Sequence, residues 1–148
     1  MATKAPFQLK IAKRGATRPD VPFVKAIKPE PEEEGAMIIR GQPAGSKEEW
    51  RTSQALDILQ MDYYYQYSVG GGRQRRGGQV IDFLVLTPVR WTIVDVRGTY
   101  WHTGRHEDSL DILRVARKQR WNLVILWDTD CKSVSDAVSF LRQKIPHG

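Results

Sequence analysis

The segment Gln79–His102, QVIDFLVLTPVRWTIVDVRGTYWH, constrains the fold more than any other part of the chain. Two apolar, strand-like runs lie side by side in it, and each carries an acid where a buried strand tolerates none. Asp82 interrupts Val80–Leu86, and Asp95 interrupts Trp91–Val96 just ahead of Arg97. An ionised carboxylate is expensive to bury unless a partner or a cation compensates it, so two on neighbouring apolar strands point to a site built around a cation. The competing reading is that Asp95 and Arg97 neutralise one another on a sheet face. That pair has no need of Asp82.

Around this segment the pattern predicts alternating elements. Ser46-Lys47-Glu48-Glu49 has the form of a capping box and opens a helix through about Met61, with Trp50, Ala55, Leu56 and Leu59 for its inner face. Asp62–Val69 is aromatic and strand-like, and GGGRQRRGG at Gly70–Gly78 closes a hairpin onto Gln79–Leu86. After a turn at Thr87–Arg90 come a strand over Trp91–Arg97, a loop over Gly98–Arg105 and a helix over His106–Arg120 with Leu110, Leu113 and Ala116 inside. Trp121–Trp127, WNLVILW, has the continuous apolar character of a strand covered on both faces. Ser133 caps a last helix carrying Val134, Ala137, Val138, Leu141 and Ile145 on one stripe.

The expected fold class is therefore α/β, with a mixed four-stranded sheet flanked by helices on both faces, in the order helix, three strands, helix, strand, helix. The strand after the crossover helix should run parallel to its neighbour. Period-2 alternation puts Ile93, Asp95 and Arg97 on one side of their strand and Thr92, Val94 and Val96 on the other. Asp82 shares a face with Val80 and Leu84, and a short register offset brings it opposite Asp95.

At 148 residues the chain has room for one ordinary domain, which buries roughly two-thirds of its unfolded surface. No apolar run approaches the roughly 20 residues needed to cross a bilayer, and Met1–Pro6 lacks the apolar stretch of a secretory signal, so no membrane association is expected. The single cysteine, Cys131, can form neither an internal disulfide nor a multi-cysteine zinc site, which fits a reducing cytoplasm. The net charge of +6 favours a polyanionic partner. Lys4–Lys28 holds seven Lys or Arg against one acid, followed by Glu30, Glu32, Glu33 and Glu34 among prolines. Residues 1–45 thus read as an extended basic and acidic arm, either solvated or docking to a partner, with the folded domain over residues 46–148.

In their order and spacing, these residues resemble the PD-(D/E)XK nuclease superfamily, especially small phage and bacterial endonucleases related to very-short-patch-repair endonucleases. The resemblance spans Ser46–Ile145. It rests on Glu49 in SKEEW, Gln66 in YYYQY, Asp82 in IDF, Asp95-Val96-Arg97 in VDVRG, His102 in YWH, Asp108 in the following helix and the late apolar strand. It implies a restriction-endonuclease-like core and a metal-dependent DNA endonuclease. Asp82, Asp95 and the Val96 carbonyl would hold Mg2+ or Mn2+, and Glu49 would approach from the first helix. Many relatives carry a lysine at the position of Arg97. Arginine holds phosphate or stabilises charge but is a poor proton acceptor, which leaves His102 as the natural proton shuttle. The resemblance further implies DNA as partner, a homodimer where both strands are cut, and a bacterial or phage-infected cytoplasm or a virion. In a phage particle or larger complex, residues 1–45 would supply the docking arm.

Each site residue also has a plainer role. Glu49 completes a capping box whatever the protein does, and His102 and His106 suit a solvated loop. Trp50 and Trp101 are better placed in a core than as base-stacking platforms. Arg73, Arg75 and Arg76 sit in a glycine-flanked hairpin tip that is either solvated or a nucleic-acid-binding contact to phosphates. GGGR is no P-loop, because the Gly-Lys-Ser/Thr ending is missing. A nuclease-fold module that binds nucleic acid without cutting, and a structural protein with a sheet-face salt bridge, are the alternatives to the enzyme.

Overall fold

The computed structural model describes residues 30, 36–72, 78–98 and 106–146. A small hairpin, β1 (Ile38–Ile39) and β2 (Gln42–Pro43), opens the ordered part; Arg40 at φ +49° and Gly41 at φ +83° make its two-residue turn. Helix α1 (Lys47–Ile58) follows, then β3 (Tyr63–Val69), β4 (Gln79–Val85), β5 (Thr92–Arg97), α2 (His106–Gln119), β6 (Asn122–Trp127), a short 3-10 turn at Asp128–Asp130, and α3 (Val134–Lys144).

The four long strands form one sheet in the order β3-β4-β5-β6. β3 pairs antiparallel with β4 and β4 with β5, while β6, reached through α2, runs parallel to β5 as expected. Helices lie on both faces. Against one face α1 and α3 bury Trp50, Leu56, Val134, Ala137 and Leu141 over Phe83, Val85, Val94 and Leu126. Against the other, α2 sets Ile112, Val115 and Ala116 on Ile81, Leu84 and Ile93. The mixed α/β class and the element order are thus those read from the sequence.

Helix α1 starts where the capping signal placed it, with the Ser46 hydroxyl accepting the Glu49 N–H at 3.1 Å. It stops at Ile58, short of Met61, because Gln60 turns to φ +59° and the Met61 N–H returns to the Leu56 carbonyl. Its buried face carries two hydroxyls without penalty: Thr52 donates to Glu48 O at 2.8 Å and Ser53 to Trp50 O at 2.7 Å.

Four expectations need correction. The folded chain begins upstream of Ser46, because Met37 and Ile39 are buried in the same core as Trp50 and Leu56. In α2 the inner stripe is Ile112, Val115 and Ala116, whereas Leu110 is half exposed. Leu110 precedes Ile112 by two positions, about 200° around the helix, so the two cannot share a face. β6 is an edge strand, and of its apolar run only Leu126 is fully buried. Finally, strict alternation fails along β4. Phe83 and Val85 pack under α1 and α3, but Ile81 joins Leu84 on the α2 side, so the side-chain register slips at Asp82.

Candidate functional site

The slip at Asp82 is where the site forms. β4 and β5 are joined by only three rungs, Val85–Thr92, Leu84–Ile93 and Phe83–Val94, and they part before Asp82 and Asp95 would pair. On the other flank the ladder with β3 also skips this level: Tyr65 pairs with Phe83 and Tyr67 with Ile81, while Gln66 between them sits at φ +56°. A non-glycine residue in the left-handed region inside a strand is a local irregularity of the kind that clusters at functional sites. Tyr65 and Tyr67 consequently pack on opposite faces, as Phe83 and Ile81 do.

Parting strands leave main-chain groups without partners, and Asp82 takes one of them. The Val96 N–H donates to Asp82 Oδ2 at 3.0 Å. A strand residue directs its N–H and C=O to the same side, so the Val96 carbonyl opens onto the same fork. Asp95 lies beside it and is hydrogen-bonded to Asp82 carboxyl to carboxyl. The arrangement requires a proton. Burial, then the charge of Asp95, then that of Glu49, push the Asp82 carboxyl up to about 8, against the opposing pull of the Val96 N–H. Asp95 is buried too, and Arg97 Nε donates to its Oδ2 at 2.6 Å. The Arg97 side chain is only 4% exposed, so this ion pair is internal.

Glu49 enters from the first turn of α1 and is held by its own set of donors. Tyr65 O–H donates to Glu49 Oε1 at 2.5 Å, Gln66 Nε2 to the same oxygen at 3.4 Å, and Ser46 O–H to Oε2 at 3.4 Å. The Tyr65 hydroxyl in turn accepts the Gly45 N–H at 3.0 Å. Burial, with the hydrogen bond to Glu49 next, raises the phenol well above its ordinary pKa. Gly45 lies against the carboxylate so closely that a Cβ there would be 2.9 Å from Glu49 Oε2. A groove of about 410 Å³, lined by Met37, Ala44, Gly45, Ser46, Lys47 and Glu48, runs along this segment.

Of the residues read from the sequence, Asp82, Asp95 and Val96 are brought together at the fork, Arg97 is placed on Asp95, and Glu49 lies near enough to raise the Asp82 carboxyl. His102, Arg73, Arg75 and Arg76 lie outside the described residues, as do the side chains of His106 and Asp108. Tyr65 was missed as a site residue. Its only signal was its place beside Gln66 in YYYQY, which is no more than ordinary strand composition. Among the described residues no group of three or more His, Cys, Asp or Glu is placed to hold a metal ion. The donors at the fork are two carboxylates and a main-chain carbonyl. Such an all-oxygen set suits a hard divalent cation that keeps several of its waters. Such an ion would also relieve the repulsion that keeps Asp82 protonated.

Comparison with protein-family models, curated proteins and solved structures finds no match for the chain. No helix of the described residues is long and apolar enough to cross a membrane.

Proposed function

We propose that the chain is a metal-dependent DNA endonuclease with a restriction-endonuclease-like core, hydrolysing phosphodiester bonds at the fork between β4 and β5. The observation that carries this reading is the carboxyl pair Asp82–Asp95, placed by a break in the ladder where plain sheet packing calls for no acid. Asp82, Asp95 and the Val96 carbonyl would hold Mg2+ or Mn2+. When bound, the ion supplies a polarised phosphate and a water of lowered pKa.

The chain's own residues set the conditions for binding. Asp82 must release its proton before it can serve as a ligand, so the empty fork is neutralised and the loaded one is ionised. Arg97 holds Asp95 in place and offsets its charge; its guanidinium stays protonated and takes no part as a base. Glu49, fixed by Tyr65 and Ser46, adds negative potential to the fork.

Incubation of supercoiled plasmid with the protein and Mg2+ or Mn2+ tests the reading. Nicking that vanishes with EDTA and with Asp82→Ala is expected; no metal-dependent cutting across duplex, branched and single-stranded DNA would remove it. The internal Asp95–Arg97 ion pair favours a second reading, a nuclease-fold module that binds nucleic acid without cutting. Salt-dependent DNA affinity in the absence of any cutting would establish that alternative.

A further inference from the structure

We infer that a second surface of the chain, at the amino-terminal ends of β5 and β6, docks unpaired nucleic-acid bases. The parallel pairing of these strands brings together two Arg-Trp dipeptides far apart in sequence, Arg90-Trp91 and Arg120-Trp121. The Asn122 N–H donates to the Trp91 carbonyl at 2.9 Å and fixes the junction. The two indoles stack, with ring centroids 6.0 Å apart and planes inclined by 27°. Tyr64 lies 6.5 Å from Trp91, Tyr67 lies 6.4 Å from Trp121, and the two tyrosines are 5.2 Å apart, which closes a ring of four aromatics.

This ring does more than fill the core. Trp91 is 37% exposed, and Arg90 and Arg120 are exposed beside the two indoles. Neither Pro88–Trp91 nor the stretch RKQRW at 117–121 contains an acid. Open aromatic faces flanked by cations are what single-stranded nucleic acid requires: each base has a π-face to stack, and each phosphate a charge to neutralise. Two copies of the chain meeting here would set like charges against each other, which favours a polyanion over self-association. The surface lies on the α2 face, about 13 Å along β5 from Asp95 at ~3.3 Å per residue, and so is separate from the acid pair.

The inference rests on the nucleic-acid reading of the chain but not on cutting, and its test is made in EDTA. Fluorescence anisotropy of a labelled oligothymidylate is followed with the full chain, and circular dichroism confirms that each variant is folded. Wild type should bind the single strand more tightly than a duplex of equal length, with quenching of tryptophan emission. Trp91→Ala should weaken single-strand binding about 10-fold, and Trp91→Phe should retain most of it. Arg90→Ala with Arg120→Ala should lower the slope of log affinity against log salt by about 1. Equal affinity of wild type and Trp91→Ala would overturn the inference. So would a preference for duplex, or a concentration-dependent dimer that Trp91→Ala abolishes. Plasmid nicking that persists in Trp91→Ala with unchanged single-strand affinity would sink this surface while leaving the endonuclease standing. A wild type that never nicks but loses affinity on that substitution would do the reverse.

Discussion

The main-chain N–H of Val96 is bonded to the side chain of Asp82 at 3.0 Å, so a carboxyl group stands in for the strand partner that β5 lost when β4 turned away. The acid has a structural duty there as well as a chemical one. An amide at the same position can accept that N–H but cannot carry the charge.

Asp82→Asn separates the two duties. With its carboxyl at about 8 in the folded state and near 4 when unfolded, Asp82 binds more proton in the native chain between those values. Stability contributed by this group is therefore complete below pH ~4 and is lost as pH rises toward about 8. Urea denaturation at pH 5, 7 and 9 should show that loss in wild type and a flatter profile in Asp82→Asn. The gap should widen to a few kcal/mol at pH 9. A variant that tracks wild type at every pH would refute the protonated carboxyl.

A divalent ion at the fork must displace that proton. Mn2+ titration by calorimetry, in buffers of different ionisation enthalpy at pH 7, should report release of close to one proton per ion bound. Affinity should rise at least 10-fold from pH 6 to pH 8, since the competing proton is lost over that interval. Asp82→Asn should abolish both effects.

Gly45 should prove irreplaceable by even a methyl group. In Gly45→Ala the new Cβ would meet Glu49 Oε2 at 2.9 Å, so the carboxylate must leave Tyr65 or the loop must shift. Tyr65→Phe removes the donor to Glu49 and orphans the Gly45 N–H, at a cost of about 1–3 kcal/mol. Melting temperatures should fall in both variants, and combining them should cost less than their sum because they break one network.

Arg97→Ala should be the most destabilising substitution at the site, by about 3–5 kcal/mol, because it strands the buried Asp95 charge. Asp95→Asn combined with Arg97→Met should recover much of that loss in denaturation, since neither charge then remains. A small effect of Arg97→Ala would mean that Asp95 is solvated.

Cys131 is fully buried, its S–H points to the Trp127 carbonyl at 3.4 Å, and burial pushes the thiol up to about 12. Thiol reagents at pH 8 should leave it unmodified in the native chain and react stoichiometrically in denaturant.

How far the sequence could be read depended on whether a feature is local. The Ser46 cap was visible because its donor lies three residues away, and the parallel β5–β6 pair followed from the helix between them. Asp82 and Asp95 stood out because acids are rare in apolar runs. Their mutual placement was wrong in detail: alternation set Asp82 on the face of Leu84, yet the face changes at Asp82 itself. That change depends on Gln66 adopting positive φ in the adjacent strand, a long-range coincidence that periodicity does not record.

From its residues alone this chain was committed to helices and strands in their observed order, and to two acids that apolar strands could not ignore, since propensity, capping and burial cost act over a few residues. Only tertiary packing decided that β4 and β5 would part at those acids, that Tyr65 and Gly45 would clamp Glu49, and that two distant Arg-Trp pairs would meet. Those outcomes depend on contacts between segments tens of residues apart, and their energies exist only once the chain has closed on itself.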